Sequence, residues 1–379
     1  MAFGFLALQA QNHESISINH GPWLTDMTSD AVTVVWTTNV PAMSWVEFRE
    51  YSDESFYEKE NPRVYDSRYG RRLCTETLHS VRLTGLKPGT KYQYRVFSQE
   101  VKGWTYADYV DFGLIASTAV YQADPLTFTT FDPQDECVSF FVLNDIHADA
   151  QRLGKLCRGV DFKDYDFVLL NGDMRSTIEN EEQIFSGWLD SCVTLFARET
   201  PIVFVRGNHE NRGAYADKMY RYFPHTTGSF YYTFDVGKVN FIALDCGEDK
   251  PDSDIEYTGI AEFDAYRRTQ ADWLEQQIPV PAEAKYRVAL LHMPPTMEDW
   301  HGVRNIDELF LPSLNKAGLD LMLCGHMHYH AYAPADAQHN FPILVNSNVN
   351  SLGVKITSSG IDVQVNGLGK KEKKEIKVK

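Results

Sequence analysis

The stretch LMLCGHMHYH (Leu321–His330) joins an apolar run to closely spaced histidines. The apolar run ends at Gly325, and His326, His328 and His330 follow at every second position. In an extended strand, alternate residues share one face. The spacing alone does not distinguish metal ligands from the polar side of a strand that reaches the surface. The distinction depends on whether ligand-type residues also follow other strands.

Five further apolar runs in the second half of the chain resemble the run at Leu321–Cys324. All six runs are short and predict buried strands: CVSFFVLND, DFVLLNGD, PIVFVRGNHE, VNFIALD, YRVALLH and LDLMLCGH. Between them, Glu181–Arg198 and Glu262–Gln277 carry apolar residues every three or four positions, which predicts amphipathic helices. Apolar strands that alternate with helices indicate a sheet covered on both faces, hence an α/β fold.

Five of the six predicted strands end in groups that bind metals. The residues at or just after these ends are Asn144, Asp145 and His147; Asp173; Asn208, His209 and Glu210; His292; and His326 and His328. Ligands of open α/β sheets lie at the carboxyl ends of strands. Carboxylate, imidazole and amide donors together suit two divalent or trivalent ions such as Fe, Mn or Zn.

The first half of the chain, residues 15–131, predicts an all-β domain. In LKPGTKYQYRV (Leu86–Val96), a Pro-Gly turn places Tyr92 at the start of a strand, as in the tyrosine corner of sandwich folds. Trp36 is the predicted core tryptophan. The segment resembles a fibronectin type III-like module, that is, an immunoglobulin/fibronectin-like sandwich.

The segment TTFDPQDE (Thr129–Glu136) interrupts the strand pattern with proline and charge, and it predicts a domain boundary. The α/β domain is expected to cover residues 137–367. If this boundary separates independent domains, a chain that starts near Asp132 should fold alone.

Length and charge limit the classes of function. A chain of 379 residues with 43% hydrophobic content can bury two cores, and its net charge is −16. The acidic balance argues against a nucleic-acid coat or a membrane-surface protein. It does not exclude an anionic substrate, because a bound metal inverts the local field. No segment of the sequence approaches the roughly 20 apolar residues of a transmembrane helix.

The two ends of the chain and its cysteines carry weaker indications. The apolar N-terminus, residues 1–10, predicts the remnant of a signal peptide with cleavage near Ala10, and hence a secreted or periplasmic protein. The alternative is an apolar tail that packs on the fold. Residues 368–379 predict a basic, solvated, poorly ordered tail. Six dispersed cysteines argue against structural zinc and require no disulfides.

The ordered motifs D-x-H, G-D, G-N-H-E, H and G-H-x-H resemble the calcineurin-like metallophosphoesterase superfamily. All five motif blocks occur in order, each after an apolar run. The resemblance implies an αββα sandwich for residues 137–367. The preceding β-sandwich is similar to the architecture of purple acid phosphatases.

The resemblance also implies a ligand set for two ions. Asp145, His147, Asp173 and His328 would hold the first ion. Asp173, Asn208, His292 and His326 would hold the second ion, with Asp173 bridging. Two histidines of the opening stretch would then serve different ions, which requires the chain to turn as it leaves the strand.

Two positions depart from the purple acid phosphatase pattern. Those enzymes have a tyrosine three residues after the bridging aspartate, where this chain has Ser176, and they lack the histidine that is His147 here. The tyrosinate–iron colour of that family is therefore not expected, and the site resembles the general calcineurin-like type.

The expected activity is hydrolysis of a small phosphorylated substrate by a hydroxide that bridges two metal ions. By resemblance, His209 lies beside the leaving oxygen and is the candidate general acid. Glu210 is the candidate partner that orients an imidazole, with a surface carboxylate as the alternative.

Other polar residues near the motifs are weaker candidates. Arg175 would grip a substrate phosphate or form a structural salt bridge, and His301 would line the substrate cleft. Arg212 and Tyr215 are rim candidates, and His330 is expected to be structural or at the rim.

Two alternatives to a phosphomonoesterase stay open. The first is a phosphodiesterase that acts on a cyclic nucleotide or a phospholipid headgroup. The second is a catalytically inactive binding protein with the same fold, against which the intact ligand set argues. The long segments Gly247–Gly259 and Pro294–Asn305 are expected to shape the cleft.

Overall fold

The computed structural model describes residues 15–106, 109–119 and 123–367, together with the backbone of 374–378. The strands are β1 (Ile18–Thr25), β2 (Ala31–Thr38), β3 (Ala42–Glu50), β4 (Arg63–Tyr65), β5 (Ser67–Arg68), β6 (Arg71–Arg72), β7 (Leu78–Thr84), β8 (Lys91–Tyr106), β9 (Tyr109–Ser117), β10 (Leu126–Thr129), β11 (Val138–Leu143), β12 (Phe167–Asn171), β13 (Ile202–Val205), β14 (Tyr232–Val236), β15 (Val239–Ala243), β16 (Tyr286–Leu290), β17 (Leu321–Cys324), β18 (Ala331–Ala333), β19 (Ile343–Val345), β20 (Asn350–Thr357), β21 (Gly360–Gly367) and β22 (Lys374–Val378).

The helices lie almost entirely in the second half. The α-helices are α1 (Ala150–Leu156), α2 (Glu182–Ile184), α3 (Asp190–Cys192), α4 (Phe263–Gln276), α5 (His301–Leu309) and α6 (Leu311–Leu314). Short 3₁₀ turns cover Phe162–Asp164, His209–Asn211, Ala216–Arg221 and Ile255–Tyr257. Wider helical turns cover Phe185–Leu189 and Val193–Ala197. Within the described residues, no helix is long and apolar enough to cross a bilayer.

The first half forms the predicted β-sandwich. Strands β1, β2 and β7 pair in one sheet, and β10, β8, β3 and β4 pair in the other, with β9 also on β8. Trp36 is fully buried, and its indole N–H donates to Ser98 Oγ at 2.9 Å. The hydroxyl of Tyr92 accepts the Lys87 N–H at 2.9 Å, which is the backbone bond of a tyrosine corner.

The second half is an αββα sandwich, as predicted. One sheet contains β20, β11, β12 and β13, and the other has the order β14-β15-β16-β17-β19-β18. Phe140, Phe167 and Phe241 join the two sheets by ring contacts of 4.8–5.5 Å. On the outer faces, α1 and residues 182–197 cover the first sheet, and α4, α5 and α6 cover the second.

The predicted helix over Glu181–Arg198 is interrupted, whereas α4 agrees with the prediction. Ser186 and Gly187 have non-helical backbone angles, with φ of 85° at Gly187. A Cβ at Gly187 would collide with the carbonyl oxygen of Ala148. The close approach of this loop to the segment after β11 therefore breaks a helix that the apolar periodicity predicts.

The first sheet crosses the predicted boundary between the two halves. Strand β1 pairs in parallel with β13, with Thr25 opposite Ile202, so that one sheet contains nine strands of the described chain. The Trp23 indole N–H donates to the carbonyl of Tyr222 at 2.9 Å, and Tyr94 donates to the carbonyl of Arg198 at 2.5 Å. The two halves also share one hydrophobic core. This continuity argues against the expectation that a chain starting near Asp132 folds alone.

Part of the C-terminal tail that was predicted to be poorly ordered forms a strand. Backbone residues Lys374–Val378 form an edge strand antiparallel to β21, with Ile376 opposite Val363. The open edge of β21 offers backbone partners to this segment, whose alternate Ile and Val residues favour a strand in spite of the lysines. The predicted signal remnant at residues 1–10 lies outside the described residues.

Candidate metal centre

The histidines of the opening stretch do not continue a strand. Strand β17 ends at Cys324, and His326 and His328 have φ angles of 71° and 57°. Non-glycine residues rarely adopt this left-handed region. The chain therefore bends as it leaves the sheet, and the two imidazoles join different clusters. His330 is half-buried and belongs to neither cluster.

The first cluster contains Asp145, His147 and His328. His328 Nε2 lies 3.2 Å from Asp145 Oδ1 and 3.1 Å from His147 Nε2. His147 Nε2 lies 4.0 Å from the same Asp145 oxygen. The Asp145 side chain is fully buried, whereas that of His328 is 48% exposed. The cluster is therefore buried at the sheet and open to solvent on its outer side.

The second cluster contains Asp173, His292 and His326. His292 Nε2 lies 3.1 Å from Asp173 Oδ2. Asn208, just after β13, adds an amide oxygen that lies 3.1 Å from His326 Nδ1. Asp173, Asn208 and His292 are buried. The structure thus brings together the four residues that the resemblance assigns to the second ion.

The two clusters adjoin at His292. Its Nε2 lies 3.1 Å from Asp173 Oδ2 of its own cluster and 3.9 Å from Asp145 Oδ1 of the other. All seven predicted ligands lie at the carboxyl ends of β11, β12, β13, β16 and β17, where an α/β sheet places its ligands. The bridging role of Asp173 stays a prediction.

Backbone strain concentrates at this centre. Positive φ angles occur at five of the predicted ligands, namely Asp145, His147, Asp173, His326 and His328. A Cβ at Gly172 would collide with the His292 ring, and a Cβ at Gly207 would collide with Asp173. Strained backbone of this kind persists where the surrounding structure enforces it, and it clusters at functional sites.

The junction of the clusters fits a cation. Among the described residues, Asp145 Oδ1 and His292 Nε2 are buried without a partner in hydrogen-bond geometry. Although burial alone would lower it, the Asp173 and Asp145 carboxylates raise the pKa of His292 to about 10. A buried site that favours a proton so strongly also favours a metal ion. The donor set of carboxylates, imidazoles and one amide suits Fe, Mn or Zn.

The two departures from the purple acid phosphatase pattern contact each other. Ser176 Oγ lies 3.0 Å from His147 Nδ1. A bond at Nδ1 fixes the orientation of the ring and directs Nε2 toward Asp145 and His328. In this chain Ser176 therefore contributes to the orientation of His147.

Glu210 has a different role from the predicted one. It is fully buried, which contradicts a surface position, and its carboxylate accepts four backbone N–H groups rather than orienting an imidazole. Oε1 accepts from Met174 at 2.7 Å and Arg175 at 3.3 Å, and Oε2 accepts from Asp173 and Gly207 at 2.9 Å each. The amides of these tight turns need acceptors, and one carboxylate serves both loops. Glu210 thus fixes the loop of Asp173 against the loop of Asn208.

His209 lies at the open side of the centre. Its backbone N–H donates to Asp173 Oδ1 at 3.0 Å, and its Nδ1 lies 3.0 Å from the carbonyl of Ser176. Nδ1 therefore carries the proton and donates it, which leaves Nε2 directed to the centre, 3.9 Å from Asp173 Oδ2. The side chain is 27% exposed, so an incoming molecule can reach Nε2.

The structure places Arg175 and His301 in protein contacts. Arg175 donates to the carbonyl and hydroxyl of Ser186 at 3.0 and 3.2 Å and to the carbonyl of Thr177 at 3.2 Å. These bonds favour its structural role, although not as a salt bridge. His301 begins α5, and its Nε2 lies 2.8 Å from the carboxylate of Asp264.

The rim candidates Arg212 and Tyr215 also form hydrogen bonds with neighbouring side chains. Arg212 donates to Glu248 through two bonds of 2.8 Å, and its Nη1 lies 3.2 Å from His209 Nδ1. The Tyr215 hydroxyl lies 2.9 Å from that of Tyr222. Arg212 is thus close to the centre, whereas Tyr215 lies in the protein's own packing.

Two acidic residues at the centre, Asp249 and Glu298, were not among the site residues that the sequence predicted. Asp249 Oδ2 accepts from the Asn208 amide at 3.3 Å, and Glu298 Oε2 lies 3.1 Å from His326 Nε2. They lie in the two long segments that were expected to shape the cleft. The position of Glu298 in the loop after the ligand-bearing strand β16 was an available signal, whereas Asp249 follows β15, which carries no predicted ligand, and nothing in the sequence connects either residue to a particular ligand.

Comparison with known proteins agrees with this geometry. The sequence model of the calcineurin-like phosphoesterases matches residues 138–330, and that of the purple acid phosphatase N-terminal domain matches residues 21–108. Purple acid phosphatase PPD1 from yellow lupin (Lupinus luteus) seeds superposes with a TM-score of 0.64 at 13% identity, over 94% of this chain and 73% of that one. The likeness to this structure shows a shared fold.

Two curated relatives match parts of this sequence. The mouse (Mus musculus) serine/threonine-protein phosphatase CPPED1 is 24% identical over 196 residues, which cover 48% of this chain and 59% of that protein. An uncharacterized protein of Mycobacterium tuberculosis (strain H37Rv) is 27% identical over 287 residues, 65% of this chain and 49% of that protein. The chain spans about half the length of the curated relatives it matches.

Proposed function

The chain belongs to the calcineurin-like phosphoesterase family, and on this premise we propose that it hydrolyses a phosphate monoester with a centre of two metal ions. The ions are divalent or trivalent, of the Fe, Mn or Zn type. The mouse relative is a serine/threonine-protein phosphatase, which supports a monoester as the substrate class.

The observation that carries the proposal is the pair of adjoining clusters. Asp145, His147 and His328 form one, and Asp173, His292 and His326 form the other. Two such sites side by side suit an in-line displacement, in which both the attacking and the leaving oxygen need charge compensation. Asp173 is proposed to bridge them, since its carboxylate lies beside His292 at the junction.

The chemistry that two bound ions supply is a hydroxide nucleophile at neutral pH and positive charge for the phosphate oxygens. The residues of the chain position these events. Glu210 holds the loops of Asp173 and Asn208 together through backbone N–H groups. His209 is proposed to act as the imidazolium, which donates its Nε2 proton to the leaving oxygen and keeps its Nδ1–H on the Ser176 carbonyl, so that the product ring is neutral.

The test is hydrolysis of p-nitrophenyl phosphate beside bis(p-nitrophenyl) phosphate by protein reconstituted with manganese, zinc or iron. We expect metal-dependent turnover, faster with the monoester, and its loss in Asp173→Asn together with a lower metal content. Faster turnover of the diester would replace the monoesterase with a phosphodiesterase. Two bound ions without turnover of either ester would favour a narrow natural substrate, whereas absence of both ions and turnover would favour the binding-protein alternative.

A second variant separates the proton donor from the metal ligands. His209→Ala should lower kcat by about 10²–10⁴-fold and leave the metal content unchanged, because its Nε2 serves the substrate. Metal content and turnover are measured on the same sample. Loss of metal in this variant would mean that His209 is a ligand and not the acid.

Export from the cytoplasm is a separate proposal. It rests on the apolar N-terminal residues 1–10. Mass spectrometry of the N-terminus of protein isolated from its native host tests it, and an uncleaved first residue would contradict it.

A further inference from the structure

The loop after β16 places a carboxylate against one of the predicted ligands. Glu298 Oε2 lies 3.1 Å from His326 Nε2. This oxygen is buried and, among the described residues, has no partner in hydrogen-bond geometry, so that its 3.1 Å contact with His326 is an ion-pair distance. The imidazole of His326 is therefore the group that can compensate its charge.

The two nitrogens of His326 face different neighbours. Nδ1 lies 3.1 Å from the amide oxygen of Asn208, and Nε2 lies 3.1 Å from Glu298. In an imidazole the two nitrogens point in divergent directions, so Glu298 lies on the side of the ring away from Asn208. A carboxylate at Nε2 favours the proton there and leaves the Nδ1 lone pair directed to the side of Asn208.

The loop that carries Glu298 is held in a strained conformation. Thr296 has a φ of 64°, which is a true outlier for a β-branched residue. Its N–H donates to Asp307 Oδ1 on α5 at 2.9 Å, and Gly302 at the start of α5 donates to the carbonyl of Asp249 at 2.8 Å. The loop is thus anchored on both sides of Glu298, and the strain persists because these contacts enforce it.

We propose that Glu298 is a positioning residue that orients His326 so that Nδ1 binds the second metal ion. The inference rests on the proposed two-ion function and adds to it a carboxylate beyond the ligand set. Partners of this kind fix the tautomer of a ligating histidine and strengthen its bond to the metal. The arrangement predicts that Glu298 acts on one ion and not on the other.

The test is titration of metal-free protein with zinc in the presence of a chromophoric chelator, so that the two binding steps are measured without reference to turnover. Glu298→Ala should weaken one step by about 10–100-fold and leave the other unchanged. Glu298→Gln should weaken it less, because the amide oxygen still accepts from Nε2. Asp299→Asn is the matched control, since Asp299 is exposed and adjacent, and it should have no effect.

A second measurement reports the hydrogen bond itself. In the zinc-loaded protein, the Nε2 proton of His326 should give a downfield exchangeable proton resonance that is absent in Glu298→Ala and present in Asp299→Asn. Native affinities at both steps in Glu298→Ala, or equal weakening of both, would overturn the inference alone. Native protein that binds no ions would overturn the proposed function and this inference with it.

Discussion

Aspartate and histidine side chains meet both at the metal centre and at the contact between the two halves, and their polar atoms are satisfied differently in the two places. At the contact, Asp26 Oδ2 accepts from Arg82 at 2.6 Å and from the Thr226 N–H at 3.2 Å, and Asp26 Oδ1 lies 3.1 Å from His225 Nε2. His225 also stacks on Tyr232 with a centroid distance of 3.9 Å. Each carboxylate oxygen of this interface cluster has a protein partner.

At the metal centre, buried polar atoms lie close together without hydrogen-bond partners in the described part of the chain. Asp145 Oδ1 and His292 Nε2 are buried 3.9 Å apart and lack partners in hydrogen-bond geometry among the described residues. Buried polar groups are ordinarily satisfied within the protein. We infer that the interface cluster stabilises the fold, whereas the metal centre is arranged to bind ions that the chain itself does not supply.

The largest effect is expected from removing the first half of the chain. Residues 132–379 retain all predicted ligands but lose β1, the partner of β13, and much of the shared core. We expect this fragment to be insoluble or to lack a cooperative unfolding transition in circular dichroism, because apolar core surface becomes exposed. Residues 15–379 are the matched control. A soluble, cooperatively unfolding fragment would restore the independent domain that the sequence predicted.

Asp145→Asn tests the metal centre by itself. Loss of this ligand should lower turnover by about 10³-fold and reduce bound metal, since even indirect partners of a ligand contribute about 10–100-fold. The free energy of unfolding of the metal-free protein should change by less than about 1 kcal/mol, because asparagine keeps an oxygen that can accept from the His326 N–H and the Asn144 amide, which bond to Asp145 Oδ2. A large loss of stability in urea would show that this carboxylate is structural.

Asp26→Asn should affect stability and not metal binding, in contrast to Asp145→Asn. It should lower the free energy of unfolding by about 2 kcal/mol, because Arg82 loses its carboxylate partner but keeps its bonds to the Asp26 carbonyl and the Thr33 hydroxyl. Metal content should stay unchanged. Asp30→Asn, at an exposed position four residues away, should change stability by less than about 0.5 kcal/mol. A drop in bound metal in Asp26→Asn would mean that the two clusters are coupled.

The smallest effect concerns pH and a buried histidine of the shared sheet. Burial lowers the pKa of His79, on β7, to about 3. Between pH 6.5 and 3 the unfolded chain binds a proton that the folded chain does not, so stability falls as the pH falls through this window, by up to about 1.4 kcal/mol per pH unit.

His79→Gln removes this contribution. Between pH 7.5 and pH 5, the variant should lose about 2 kcal/mol less stability than the native protein in urea unfolding. The amide can replace the 2.8 Å contact of His79 Nε2 with the Thr38 hydroxyl. An identical pH dependence in both proteins would show that His79 binds its proton as readily in the folded as in the unfolded chain.

Much of the fold and the centre followed from local pattern. Apolar runs that end in ligand-type residues predicted the strands, and parallel strands present their carboxyl ends at one edge, so Asp145, Asp173, Asn208 and His292 had to meet. The break at Gly187 and the edge strand at Lys374–Val378 did not follow, since a close backbone approach in one case and an open sheet edge in the other lie outside the local sequence.

The sequence by itself determined the αββα domain, the preceding sandwich and the set of residues gathered at the strand ends. The resemblance assigned His326 and His328 to different ions, but only the tertiary structure decided how the two side chains separate, because both residues leave the strand at positive φ. It also assigned Glu210 to backbone amides, brought Glu298 to His326, and joined the halves through Thr25 and Ile202. These contacts link segments far apart in the chain, and periodicity carries no information about such pairs.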